Sequence, residues 1–109
     1  TTPPLMLPYA RAARGTAETE AALVIFEDAM GAHASPKQRA QLRQLCCELL
    51  CARGAWERAM PYLREAAAST LVDLEWIDWC PLLRGLRDRE DFAGCRAQVA
   101  ARSAEIWQL

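Results

Sequence analysis

From residue 16 onward, apolar side chains recur at three- and four-residue spacing in five successive runs separated by helix start and stop signals. That period gives each run one face to bury, and the economical solution is helix packed on helix. In the first run, residues 16–30, Ala22, Ile25, Phe26, Ala29 and Met30 form the face. Leu23 and Val24 widen it, so this helix is expected to be covered on more than one side. Glu18 and Glu20 sit in the first turn, where carboxylates favour the positive end of the helix dipole. Gly31 is expected to end the helix in a left-handed conformation.

Ser35-Pro36-Lys37-Gln38 opens the second run. It offers an N-cap hydroxyl, a proline at the first helical position and a Gln able to reach back to the cap. Leu42, Leu45, Cys46, Leu49 and Leu50 continue the stripe, and Gly54 closes it. Four residues, Gly31 to Ala34, separate the first helix from Ser35, so the first two helices should pack antiparallel. The third run, 55–68, buries Trp56, Ala59, Met60, Leu63, Ala66 and Ala67. Its stripe passes Pro61 without a phase break, which favours a kinked helix over a restart at Pro61. Asp73 caps a short helix with Leu74, Trp76, Ile77 and Cys80, and Pro81 either ends it or begins a turn through Leu82, Leu83 and Leu86. Asp88 is expected to cap the last helix, with Glu90 and Asp91 in its first turn, Phe92, Cys95, Val99 and Ile106 inward, and an end as late as Leu109.

Composition agrees with this pattern. The chain has 21 alanines and 14 leucines against 11 Val, Ile and Thr together, and β-branched residues lose more side-chain freedom in helices. No run shows the alternation of a half-buried strand. The 109 residues suit one domain over 16–109, with residues 1–15 as an extended linker carrying Pro3, Pro4 and Pro8. The absence of an initiator Met implies a piece of a longer protein. A net charge of −1 argues against nucleic acid as a partner. No apolar run approaches the ~20 residues that span a membrane. Residues 1–8 lack the charged start and apolar centre of a secretory signal. Five cysteines cannot all pair, and adjacent Cys46 and Cys47 on a helix suit reduced packing residues, which implies a cytoplasmic setting.

Catalytic patterns are sparse. Cys47 and Cys51 are four apart, but no second pair completes a closed zinc set. His33 is the one imidazole available to activate a thiol, and its place after Gly31 reads as a loop or capping residue. There is no Gly-rich phosphate loop. The acidic pairs Glu27-Asp28 and Glu90-Asp91 read as solvated helix faces. Arg84, Arg87, Arg89, Arg96 and Arg102 lie among Asp88, Glu90 and Asp91, as self-compensating pairs or as a local anion patch. Trp76 and Trp79, three apart, either seal the end of the helical stack or expose an anchor. Trp107 would mark a partner or dimer contact if exposed.

Gly54, Trp56, Ala59, Leu63 and Ala66 stand at the spacing of the second half of a tetratricopeptide repeat (TPR), within a helix-turn-helix unit over residues 40–73. The chain resembles that family there, with Cys47 and Leu50 replacing the usual small and aromatic positions and Leu71 replacing the usual proline. Its tail, with Trp76, Trp79, Cys80-Pro81-Leu82-Leu83, Asp88 and Phe92, resembles the closing segment of helical repeat regions in bacterial signalling proteins such as Ser/Thr protein kinases. The resemblance covers about residues 35–107. It implies an all-α stack of about five helices in antiparallel hairpins, forming a TPR-like superhelix. It implies a non-catalytic adaptor or scaffold domain, without a cofactor or metal, binding a protein or peptide segment. In the family's geometry Gln41, Gln44, Glu48 and Cys51 face the peptide groove. The competing expectation is a helical spacer or homodimerisation unit with Trp76, Trp79 or Trp107 at the contact. A small thiol- or metal-dependent enzyme ranks behind both.

Overall fold

In the computed structural model, which describes residues 15–107, five α-helices follow one another with no strand among the described residues. They are α1 (Thr16–Ala29), α2 (Pro36–Ala52), α3 (Trp56–Ala68), α4 (Leu74–Trp79) and α5 (Glu90–Trp107), with a 3₁₀ turn at Pro81–Leu83 before α5. The all-helical fold class expected from periodicity is therefore present. The linker expected over 1–15 is described only at Gly15, and any extension of α5 to Leu109 lies outside the described residues.

Local chemistry sets the boundaries. The Ser35 hydroxyl accepts from the Gln38 N–H at 3.1 Å, and the Gln38 side chain accepts from the Ser35 N–H at 2.7 Å. This reciprocal cap satisfies two backbone donors that helix geometry leaves unpaired. At the other end of α2, Gly54 takes φ +69° and the Ala55 N–H reaches the Leu50 carbonyl at 2.9 Å. The Gly54 N–H also reaches the Cys51 carbonyl at 2.9 Å, completing a Schellman closure. Gly31 does not take the left-handed conformation expected of it, since Gly54 is the one described glycine with positive φ. Instead α1 unwinds through Met30, whose N–H is shared by the Phe26 and Glu27 carbonyls.

Pro61 lies inside α3, which runs as one helix from Trp56 to Ala68. Pro61 and Glu57 are both exposed, so the carbonyl left without its helical donor is near water and not trapped in the core. The Asp73 carboxylate accepts from the Trp76 N–H at 3.0 Å and caps α4 as expected. The last helix starts at Glu90, one residue later than an Asp88 cap requires, and Asp91 supplies the carboxylate that accepts from the Phe92 N–H.

α2 packs most extensively on α3, and Ala59 and Ala66 of α3 are completely buried. Small side chains at these positions let the two backbones approach. Thr70, just past α3, donates to the Pro36 carbonyl at the start of α2, so the two helices run antiparallel. α3 also packs on α5, and α1 packs on α2. Ion pairs join the start of α3 to the start of α5 (Glu57–Arg89), and Arg102 late in α5 reaches Ala67 at the end of α3. Those two helices therefore run in the same direction. One continuous apolar cluster draws on every element, from Phe26 through Leu50, Leu63, Ile77 and Leu83 to Val99.

The outermost helices depart from expectation. Val24 and Ile25 are 60% and 44% exposed, so α1 is buried on one side and open on the other. Ile106, expected to face inward, is 51% exposed. These three positions have the right period, but no described element lies beyond them to complete the burial.

Candidate functional site

The polar face of α2 is the first place to look for a binding surface. Gln41, Gln44 and Glu48 lie at helical spacings of three and four and so share a face. Gln41 is exposed, while Gln44 and Glu48 are half-buried. Cys51, expected in the same row, is buried at 3% exposure. It stands in the last turn of α2, within the apolar cluster that draws on every element. Cys51 thus belongs to the core and cannot present its thiol to a groove ligand.

Burial and hydrogen bonding divide the thiols. A hydrogen bond to Cys51, reinforced by burial, pushes the Cys47 thiol well above its ordinary range. Burial pushes Cys46 up to about 12, and it raises Cys95 as well. All five cysteines are free. Nucleophilic use requires thiolate character, which is opposed at Cys46, Cys47 and Cys95, whereas the hydrogen bond with Cys47 lowers the buried Cys51 thiol. Among the described residues no group of three or more His, Cys, Asp and Glu side chains is placed to hold a metal ion.

Gln41 separates two concavities. The larger, about 430 Å³, lies between the end of α1 and the first half of α2, against Ala29, His33, Ala34, Leu42 and Leu45. The smaller, about 130 Å³, lies between α2 and the turn after α3, where Gln44 meets Thr70, Leu71 and Asp73. Sequence reasoning missed the role of the α1–α2 connection. Its small residues, Ala32 and Ala34 around His33, are the signal that could have indicated room beside the Gln41 row.

The tryptophans divide. Trp76 is half-buried and its indole N–H finds no partner among the described residues. Trp79 is 79% exposed and does not seal the stack. It borders a concavity of about 400 Å³ with Arg87, Phe92 and Arg96. Trp107 is 87% exposed beside Ile106. Within the six-residue α4, Trp76 lies on the half-buried side and Trp79 faces solvent.

The arginines of the last quarter are mostly engaged. Arg89 pairs with Glu57 and with Asp91, and Arg96 forms a two-bond pair with Asp78 at 2.7 and 3.0 Å. These pairs hold the Glu57, Asp78 and Asp91 carboxyls below their ordinary values through hydrogen bonds to the guanidinium groups. Arg87 and Arg102 act differently. Arg87 donates to the Ile77 and Cys80 carbonyls, and Arg102 donates to the Ala67 and Leu71 carbonyls at 2.8 and 2.6 Å. Each places a cation over carbonyls left open at a helix C-terminus. A sequence shows acids as partners for arginine, but it does not show carbonyls.

No protein-family model, curated protein or solved structure matches this chain.

Proposed function

We propose that this chain is a non-catalytic TPR-like adaptor domain of a larger bacterial signalling protein, of the kind attached to Ser/Thr protein kinases, and that it binds a protein or peptide segment along α2. The observation that carries this reading is the division of α2 into two faces. One side is locked into the core by Leu42, Cys46, Leu49 and Leu50, while Gln41, Gln44 and Glu48 stand together on another. Amide side chains offer both donors and acceptors, which suits a peptide backbone. The antiparallel α2–α3 hairpin, the buried alanines Ala59 and Ala66, and the parallel run of α3 and α5 support stacking of the TPR kind. The raised thiols of Cys46 and Cys47 support a packing role for the cysteines and not a chemical one.

The test is capture of a partner from bacterial lysate by the immobilised chain. Recovery should fall when Gln44→Ala and Glu48→Ala are combined, and should hold with Trp107→Ala. Capture indifferent to the α2 pair contradicts the reading.

A second reading, a spacer or homodimerisation unit, is favoured by the exposure of Trp79 and Trp107. Aromatic anchors of this kind dominate many interfaces. Sedimentation across a hundredfold concentration range separates the two. A mass that doubles in the wild type, and stays single with Trp79→Ala and Trp107→Ala, supports the dimer.

A further inference from the structure

α1 and α5 flank α3. Arg58 and Tyr62 of α3 hold Glu20 and Glu27 of α1, while Glu57 of α3 pairs with Arg89 just ahead of α5. The outer side of α1 is left open. Ala17, Ala21, Val24 and Asp28 recur at three- and four-residue spacing, so they share a side, and all four are exposed. The exposed Ile25 and Glu18 border them. α1 carries Glu18, Glu20, Glu27 and Asp28 and no basic residue. Glu18 and Asp28 are left without a cationic partner among the described residues. This flank is therefore an apolar strip in a negative field.

The other flank is its complement. The exposed Trp79 of α4, with Phe92, Ala93 and Arg96 of α5, walls the concavity of about 400 Å³ that Arg87 completes. Cations outnumber acids there. Asp78 is held by Arg96, while Arg87 meets the Ile77 and Cys80 carbonyls and no carboxylate among the described residues. Ala93, Arg96, Ala100, Ala104 and Trp107 recur at three- and four-residue spacing, so the same side of α5 runs on to the exposed Trp107. The lengths match as well. The 14 residues of α1 advance about 21 Å at ~1.5 Å per residue, and Ala93 to Trp107 covers as much.

Exposed apolar patches rimmed by charge mark sites of association, and opposite charge selects which surface meets which. Because α3 stands between the two flanks, one chain cannot bring its own together. We infer that a second copy of this chain covers them: the outer side of α1 in one copy packs on the Trp79–Trp107 side of α4 and α5 in the next. Val24 and Ile25 meet Trp79, and the α1 carboxylates meet Arg87 and Arg96. The contact joins unlike faces, so it either closes into a ring or adds copies in a row. Such pairing deepens the dimer reading above and rests on it.

Complementation during sedimentation tests which faces meet. Val24→Lys spoils the α1 side and leaves the other intact, whereas Trp79→Ala with Arg96→Gln does the reverse. Each variant alone should stay a single chain at concentrations where the wild type is heavier, and an equimolar mixture should recover the mass of two chains. A variant that is still heavy alone, or a mixture that stays single beside a heavier wild type, overturns the pairing and leaves a dimer of like faces. A wild type that stays single throughout overturns the pairing and the dimer reading together, and leaves both flanks to other partners. Photoreactive benzoylphenylalanine in place of Trp79 needs neither variant. Its adducts between chains should fall on residues 17–28, and adducts on α4 or α5 of the second chain overturn the pairing.

Discussion

α2 and α3 meet through side chains wholly shut from water, among them Cys46, Ala59 and Leu63, whereas α1 and the last turn of α5 leave Val24, Ile25, Ile106 and Trp107 open. Both regions show the same three- and four-residue apolar spacing in sequence. The difference is that α2 and α3 each pack against further elements besides one another, whereas α1 packs chiefly on α2, and α5 packs on α3 and α4 with its last turn left open. Periodicity thus identifies which residues are able to be buried, and position in the stack decides which are.

The largest effect that can break this comparison comes from the centre. Leu63→Ala should lower unfolding stability by about 2–5 kcal/mol, because it removes a fully buried side chain and leaves a cavity. Trp107→Ala should change it by no more than about 0.5 kcal/mol, as for exposed positions generally. Urea unfolding of both variants measures the contrast, and equal losses would mean the ends are packed like the middle.

Next is the cation that ties the end of α3 to α5. Arg102→Met should cost about 1.5–3 kcal/mol, since two backbone carbonyls lose charged donors. Arg84→Met, at a weaker 3.4 Å contact on an exposed turn, should cost far less in the same assay.

Gly85 sharpens the boundary between centre and periphery. A Cβ there would lie 2.5 Å from the Trp56 ring, so Gly85→Ala should destabilise by about 1–3 kcal/mol through overpacking. Adding Trp56→Leu should recover part of that loss, which a double-mutant cycle would read. Ser35→Ala should cost about 1 kcal/mol by removing the α2 cap, with a fall in helical circular dichroism near the midpoint of unfolding.

The smallest effect is electrostatic and lies at the surface. Glu57 and Asp91 are held below their ordinary values of 4.5 and 3.8 by Arg89. A carboxylate depressed in the folded state adds stability that is complete above its unfolded value and disappears as pH falls through its folded value. The urea midpoint should therefore be flat from pH 7 to about 5 in this respect and decline below 4.5. High salt should shrink the decline, because these groups are exposed and screened.

The helices were legible because their signals are local. The Ser35 cap, the Gly54 closure and the Asp73 cap each use residues within a few positions of one another, and all three form as expected. The errors arose where the answer depends on distant elements. Gly31 marks the place where α1 stops, but without the left-handed backbone expected of it. Cys51 fits a groove position by spacing, yet it lies in the apolar core. Trp79 reads as a seal ahead of an anchor, yet the structure leaves it 79% exposed. The Arg102 contacts join residues 31 and 35 positions apart and end on carbonyls, which no side-chain pattern displays.

Amide hydrogen exchange across the whole chain tests the central claim most directly, namely that a tightly closed α2–α3 hairpin supports two open outer helices. The account predicts that Leu49, Leu50 and Leu63 exchange only through global unfolding, while Glu105, Ile106 and Trp107 exchange orders of magnitude faster. Protection that is uniform from α1 to α5, or highest in the last turn of α5, would contradict it.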